Sequence, residues 1–379
     1  MADKLTYDLA IVGGGLAGLA LSVQIANAGY NVVLFEKEQF PFHRVCGEYI
    51  SLESWDFLER LGVDLSALNV SRINRLCVSA VNGNSFEQDL PLGGFGISRY
   101  QLDHTLAQIA KNAGVRLQEQ ERVNEINFAD PVFNIETSKE NYKAGVVIGS
   151  FGKRSNLDIK WKRPFTIAKK NKLNNYIGIK YHVRCNYPAD TIALHNFKKG
   201  YCGIVKVEDD RYCLCYLTTA SNLQDSSNDI KKMEQTILSI NPHLKKLLNE
   251  CEMISEEPVI ISQISFDKKE LIKDHVLMIG DAAGMITPLC GNGMSMALHA
   301  SKIAAEQVSK FLEGTISRES MEHGYLVKWE KLFASRLRTG RILQRLFNSE
   351  WLTSLMIRLG KSFPGLITAL IKKTHGHPF

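Results

Sequence analysis

The chain has 379 residues, 45% hydrophobic and 23% charged, with 28 Gly, 10 Pro and 8 Cys. These averages exclude disordered, collagenous and disulfide-scaffold classes, and the length points to two domains or one large domain with an insertion. The net charge of +6 is uneven: residues 331–379 hold nine basic residues against Glu350, a net +8, so the rest of the chain sums to −2. A basic tail on a near-neutral body points to an anionic surface rather than to nucleic acid, because its cations are interleaved with aliphatics and not with stacking aromatics. The cysteines form no CxxC pair, which fits a reducing compartment, and no signal peptide is read at the N-terminus; the expected location is cytoplasmic.

Asp8 to Val12 reads as a short strand that runs into Gly13-Gly14-Gly15-Leu16-Ala17-Gly18. A helical pattern follows, with Leu16, Leu19, Ala20 and Val23 on one face and Gly29 as its stop. Asn31 to Phe35 makes a second strand, closed by Glu36 and Lys37. Strand, GxGxxG, helix, strand, acid is the pattern that binds a dinucleotide. Gly13 allows the tight turn, Gly15 lets a pyrophosphate approach the backbone and Gly18 lets helix and strand pack closely. The helix N-terminus then faces the phosphates, and Glu36 is placed for the adenosine ribose. A carboxylate at that position disfavours a 2′-phosphate, so the site suits FAD or NAD rather than NADP.

Arg44-Val45-Cys46-Gly47-Glu48 precedes a second helical pattern with Leu102, Leu106, Ile109 and Ala110 on one face, headed by Ser98-Arg99 and ended by Gly114. Val147 to Ser155 (VIGSFGKRS) is an apolar run ending in a Gly-rich turn. Tyr176–Val183, Tyr201–Val207 and Arg211–Leu217 read as strands, with Asp209-Asp210 as a hairpin turn, and Asn228–Ile240 reads as a helix. His182, His195 and His299 read as structural, and Cys213 and Cys215, on one face of a strand, as packing residues; no metal site is expected. Val276–Gly280 is a strand leading to Asp281-Ala282-Ala283-Gly284, then Pro288 and Gly291-Asn292-Gly293-Met294. An Asp at a strand end followed by small residues can bind a polyol hydroxyl.

These segments resemble the para-hydroxybenzoate hydroxylase and geranylgeranyl reductase superfamily of FAD-dependent oxidoreductases. The motifs cover the first 155 residues and about 275–300. By that resemblance the fold is α/β, with a Rossmann-like FAD-binding domain of the GR2 type (1–70, 97–158 and 272–312). An inserted antiparallel-sheet substrate domain (71–96 and 159–271) and a C-terminal basic helical region (313–379) complete it.

The resemblance implies FAD as cofactor, with Gly280-Asp281 at the ribitol and Pro288, Gly291, Asn292, Gly293 and Met294 beside the isoalloxazine. Arg44, Cys46 and Gly47 lie in the family's CGE segment next to the flavin, and Arg99 reaches FAD from a helix head. Cys46 reads either as a buried small residue or as a thiol at the flavin. Glu48 reads either as a salt-bridge partner of Arg44 or as a general acid. Tyr201 and Gly203 stand where reductases carry an aromatic-rich signature and are the candidate substrate residues. The WxWxIP signature of halogenases is absent. Phe151 stands where hydroxylases have an Asp linked to FAD and nicotinamide handling. An aromatic cannot accept those hydrogen bonds, which puts NAD(P)H as electron donor in doubt, unless Lys153 and Arg154 compensate.

The long helical tail leaves two readings open. Trp351 to Ile371 is apolar but broken by Arg358, Lys361 and Pro364, so it does not span a bilayer. It is either an interfacial, peripheral membrane contact or a set of helices over the protein's own core. Function divides similarly. The leading expectation is a monooxygenase that hydroxylates a lipophilic aromatic or polyketide-like substrate through a flavin C4a-hydroperoxide. The alternative is a reductase of isoprenoid or alkyl-chain double bonds, and the third is a flavin-binding protein without catalysis.

Overall fold

The computed structural model describes residues 6–167, 176–255, 257–347 and 349–379. Two sheets organise the described chain. In the first, the Thr6–Val12 strand lies between Val32–Phe35 and Asn141–Gly149, all parallel. Arg116–Gln118 extends one side and Val276–Met278 the other, again in parallel. The strands are almost wholly apolar because helices cover both faces. Helix Leu16–Asn27 packs against Arg99–Asn112 and Gly293–Leu312, and nine of its twelve residues are buried.

Parallel order has a functional consequence. Val12, Phe35, Gly149 and Met278 all end at one edge of the sheet, the edge where open α/β sheets bind ligands. Gly13, Glu36, the Ser150-Phe151 turn and Gly280-Asp281 each follow one of these ends. Four segments remote in sequence are thereby brought to one place.

The second sheet has nine strands, antiparallel except where Thr191–Phe197 runs parallel to Ser71–Ser79. Tyr176–Arg184, Tyr212–Thr219 and Gly200–Lys206 lie side by side, as the alternating runs suggest. Asp209 and Asp210 have φ of 54° and 53°, the left-handed pair of a type I′ hairpin turn.

Two expectations need correction. Tyr49–Ser51 is the edge strand of this second sheet, paired with Ser85–Gly96, although residues 1–70 were assigned to the cofactor domain. The single helix expected over Asn228–Ile240 is split into Ile230–Thr236 and a short 3₁₀ turn, Leu238–Ile240. The break follows from Asn241-Pro242. The residue before a proline is held extended, and the Asn241 side chain is drawn into bonds with Ser79 Oγ, Ala80 O and Asn196 O.

The tail forms three helices, Arg318–Phe347, Glu350–Ser362 and Pro364–Thr374. It is fastened at its far end. Asn292 Nδ2 donates to Thr374 O (2.7 Å), His299 stacks on Phe379 (4.0 Å between centroids), and Arg336 pairs with buried Glu53 (3.6 Å). The tail therefore covers the protein's own core. Among the described residues no single helix is long and apolar enough to cross a membrane.

Candidate active site

The glycine-rich turn shows why each glycine stands where it does. At Gly13, with φ of 109°, a Cβ would collide with the Ser150 carbonyl; at Gly18 it would collide with the Gly13 carbonyl. Gly15 is different: a Cβ there would have only Arg99 Nη2 within 4 Å, at 3.8 Å. The first and third glycines serve packing, and the middle one leaves an approach to the backbone beside a guanidinium. Gly15 caps the Leu16–Asn27 helix without a side-chain bond, so the helix N-terminus, with buried Leu16 and Ala17, offers its N–H groups and dipole to an anion.

Charge around this turn is arranged in a chain. Glu36 Oε2 accepts from Gly14 N (3.0 Å) and from Arg44 Nη2 (2.8 Å). Arg44 Nε reaches Asp103 (3.1 Å), and Arg99 binds the same carboxylate through two bonds of 2.7 and 2.8 Å. The expected pairing of Arg44 with Glu48 is thus corrected: Arg44 points at Glu36 and Asp103. Lys37 lies on the surface, 3.5 Å from Glu38.

Glu48 sits elsewhere, fully buried and with φ of 55°. Its carboxylate accepts from Arg99 N (2.9 Å), from Lys180 Nζ and from His182 Nε2 (2.6 Å). Burial works against the carboxylate, yet the Lys180 ammonium and His182 hold its pKa down at about 2. A group so acidic stays ionised, so Glu48 is no general acid. It is a clamp. Lys180 Nζ also donates to Arg44 O (3.1 Å), and Cys213 Sγ donates to Cys46 O (3.2 Å). The second sheet thereby grips the Arg44–Glu48 backbone at three points.

Glu48, His182 and Cys213 present ligand-type atoms within 4.8 Å of one another. The Lys180 ammonium already occupies the carboxylate and Cys213 is engaged as a thiol, so the chemistry is that of an ion pair rather than a cation site.

Sequence reasoning missed Lys180 as a member of this clamp and took His182 for an ordinary structural histidine. A signal was available: both lie on one face of an otherwise apolar strand, where a cation demands a buried partner. Cys46, half-buried, has its thiol pKa pushed up by burial and remains protonated. At Gly47 a Cβ would meet nothing within 4 Å.

On the far side, Gly280 (φ 59°) brings its turn against Ala17, where a Cβ would lie 3.2 Å from the Ala17 Cβ. Asp281 follows, and its carboxylate accepts no protein hydrogen bond among the described residues; burial raises its pKa. The turn is held from behind: Lys269 Nζ donates to Asp281 O (2.7 Å) and Arg163 Nη2 to Ala282 O (3.1 Å). An unpartnered carboxylate beside an uncapped helix N-terminus and the Gly15 clearance fits the ribitol and pyrophosphate of FAD. The side chain of Asn292 does not face this site, since it is spent on Thr374 O, and Met294 is buried in the helix that follows. Phe151 packs against Gly149 and Trp161, and Arg154 bonds Gln263 (2.5 Å) rather than compensating at the site.

Beside the loop Pro288–Gly291 lies an apolar cavity of about 120 Å³, ample where one water needs about 10–15 Å³. Leu76, Val78, Phe86, Leu90, Ile192 and Leu194 of the second sheet form one wall, and Leu343, Phe347, Met356, Ile357, Ile367, Leu370 and Ile371 of the tail form the other. Thr353, Thr374 and His375 are its polar side chains apart from the Tyr49 hydroxyl, and Tyr49 follows directly on Glu48. Neither Tyr201 nor Gly203 lines it. Tyr201 is packed on Leu289, Leu343 and Phe347, which do, and burial pushes its phenol pKa far up.

The family profile described as an FAD binding domain matches residues 6–323. The chain is 26% identical over 353 residues to conditioned medium factor receptor 1 of Dictyostelium discoideum, which covers 84% of this chain and 67% of that protein. It is 23% identical to a digeranylgeranylglycerophospholipid reductase of Methanococcus vannielii, over 91% of this chain and 88% of the relative. The flavin-dependent brominase Bmp2 shares the fold with a TM-score of 0.79 at 18% identity, covering 97% of this chain and 93% of that one. With the glycine turn, the ribose acid and the GD segment on one sheet edge, these matches place the chain in the FAD-binding-domain family, as an FAD-dependent oxidoreductase of the para-hydroxybenzoate hydroxylase and geranylgeranyl reductase superfamily.

Proposed function

We propose that this protein reduces a carbon–carbon double bond in an isoprenoid or long alkyl chain. The observation that carries the reading is the lining of the cavity beside Pro288–Gly291, which is almost entirely aliphatic and offers a ring hydroxyl or carboxylate no charged partner. This moves the weight from the leading expectation of the sequence, hydroxylation of an aromatic, to its alternative. An electron-rich ring is held and activated by polar groups; a prenyl chain needs only apolar contact and exclusion of water.

Reduced FAD supplies a hydride when bound. The chain's part is to hold the substrate, keep water away and deliver the balancing proton. Tyr201 suits the last task, because its phenol stays protonated and packs on Leu289 at the cavity wall. Cys46 is a second protonated group, in the clamped loop that leads to Tyr49. The Glu48–Lys180–His182 clamp keeps that loop in register with the second sheet. The likeness to a digeranylgeranylglycerophospholipid reductase along most of the chain supports the same reading.

A second reading, hydroxylation of a lipophilic aromatic or polyketide-like molecule, draws on the polar edge made by Thr353, Thr374 and His375. A protein that merely binds flavin has no need of a deep apolar cavity at the cofactor loop. The two catalytic readings separate in one experiment. The flavin is reduced under nitrogen, a prenylated glycerolipid is added, and products are weighed by mass spectrometry. Oxidation of the flavin with a product heavier by two hydrogens is expected, and Tyr201→Phe slows it while leaving lipid binding intact. A flavin that stays reduced until oxygen is admitted, with one oxygen atom in the product, would overturn the proposal in favour of hydroxylation.

A further inference from the structure

The two last helices are amphipathic in an unusual way, because each has two apolar faces. Met356 and Ile357 of Glu350–Ser362, and Ile367, Leu370 and Ile371 of Pro364–Thr374, face inward and line the cavity. On the outside, Trp351 is 70% exposed, Phe363 61%, Leu366 47% and Leu355 38%. Trp351, Leu355, Arg358 and Ser362 follow helical spacing along one solvent-facing stripe. The helices meet at a bend of 114°, and every residue from Lys361 to Leu366 in that elbow is exposed. A folded core has no reason to leave Trp and Phe so bare at a corner; contiguous patches of this kind mark interaction sites.

Charge says what covers the patch. Arg358, Lys361, Lys372 and Lys373 are all exposed and have no ion-pair partner among the described residues, whereas Arg336 of the same tail is buried against Glu53. Unpaired cations ring the bare aromatics, and the one acid of the tail, Glu350, lies at the far end of the first helix from the elbow. Aromatic and aliphatic tips flanked by lysine and arginine match an anionic lipid surface, where rings sit at the headgroup level and cations meet phosphate.

We propose that the Lys361–Leu366 elbow, with the Trp351–Leu355–Arg358 stripe, is a docking surface for the anionic leaflet of a lipid bilayer. The same two helices that meet the bilayer are one wall of the cavity. The bilayer is then the reservoir of the cavity's substrate, a part of the inference that rests on the reading of function above. A prenyl or alkyl chain passing between these helices reaches the Pro288–Gly291 loop without crossing water.

The test uses the full-length, FAD-loaded protein and sedimentation with vesicles of phosphatidylcholine, with or without about one third phosphatidylserine. The wild type should pellet with the anionic vesicles and be released at high salt. Phe363→Ser combined with Leu366→Ser should lower partitioning about tenfold, since each apolar tip contributes through the methylene groups it buries. Lys361→Glu should lower it about as much on anionic vesicles, as reversing a charge removes one attraction and adds one repulsion. FAD content and melting temperature should not change in either variant, because none of these side chains lines the cavity or touches the cofactor turn.

Wild-type protein that stays in the supernatant with anionic vesicles would overturn the proposal, as would elbow variants that pellet like wild type. A wild-type dimer without lipid, dissolved by the Phe363→Ser/Leu366→Ser change, would also overturn it by assigning the patch to a second copy. Failure of the anaerobic reduction with vesicle binding intact would count against the function reading alone.

Discussion

The cofactor turn and the cavity beside it are a few ångströms of chain apart, and they are built on opposite principles. At the turn, backbone meets backbone: Gly13, Gly18 and Gly280 are each pressed against a neighbouring segment, and one added carbon has nowhere to go. At the cavity, the walls are side chains from the second sheet on one side and from three tail helices on the other. Aliphatic side chains can repack around a change in volume; carbonyl groups cannot. The comparison teaches that the cofactor's place is set by steric exclusion, whereas the substrate's place is set by the sum of many weak apolar contacts. The clamp of Glu48, Lys180 and His182 joins the two.

The sharpest way to break this comparison is at the glycines. Gly18→Ala should abolish soluble folded protein, or destabilise it by about 3 kcal/mol or more, since overpacking against a carbonyl has no side-chain relief. Gly15→Val should leave the melting temperature unchanged and weaken FAD binding at least about a hundredfold, or about 2.7 kcal/mol. Thermal melts and flavin fluorescence titration read the two effects. Equal loss of fold in both would end the distinction between packing and clearance.

The clamp comes next in size. Lys180→Met leaves Glu48 ionised and buried with one partner gone, which should cost about 3–5 kcal/mol in denaturant unfolding. Glu48→Gln on top of Lys180→Met should restore part of that loss, because it removes the unpaired charge. No recovery in the double variant would mean that packing, not the ion pair, holds the loop.

Acid should reach the clamp and the buried histidines in different windows. His195, with its ring stacked on His243 at 4.9 Å, has its pKa lowered by burial to about 3. The unfolded chain takes up this proton near pH 6.5 and the folded chain does not, so stability is lost as pH falls below about 6.5, by about 3 kcal/mol at pH 4. For Glu48 the folded pKa of about 2 lies below the usual 4.5, so its contribution is full above pH 4.5 and fades as pH falls from there toward 2. Urea melts from pH 7 to pH 4 should therefore slope downward already above pH 5, and His195→Gln should flatten that upper slope. A flat wild-type profile down to pH 5 would contradict the assignment.

The smallest effect belongs to the cavity. Ile357→Val should cost about 1 kcal/mol and leave FAD affinity untouched, because the lost methyl group borders space already present.

The cofactor turn was readable because its determinants are local. Gly13 to Gly18, Glu36 and Gly280-Asp281 each announce themselves within a few residues of a strand end, and parallel pairing does the rest. The hairpin at Asp209-Asp210 was readable for the same reason. Glu48 was not, because its partners lie in a strand far along the chain and its neighbour Arg44 offered a plausible but wrong mate. The cavity was legible only as an apolar tail. Nothing in the spacing of Leu343, Ile357 or Ile371 says that they face Leu76 and Leu194 rather than a membrane, and the structure shows that the tail has one face for the cavity and another for solvent.

The account's central claim is that the aliphatic cavity delivers its ligand to the bound flavin. Its most direct test is the visible spectrum of the FAD-loaded protein during titration with a prenylated glycerolipid, for wild type and for Leu194→Trp, which fills the cavity wall without touching the cofactor turn. The account predicts a saturable shift of the flavin bands in wild type and its loss in Leu194→Trp at unchanged FAD content. A shift that survives in Leu194→Trp, or no shift in wild type despite measured lipid binding, would contradict it.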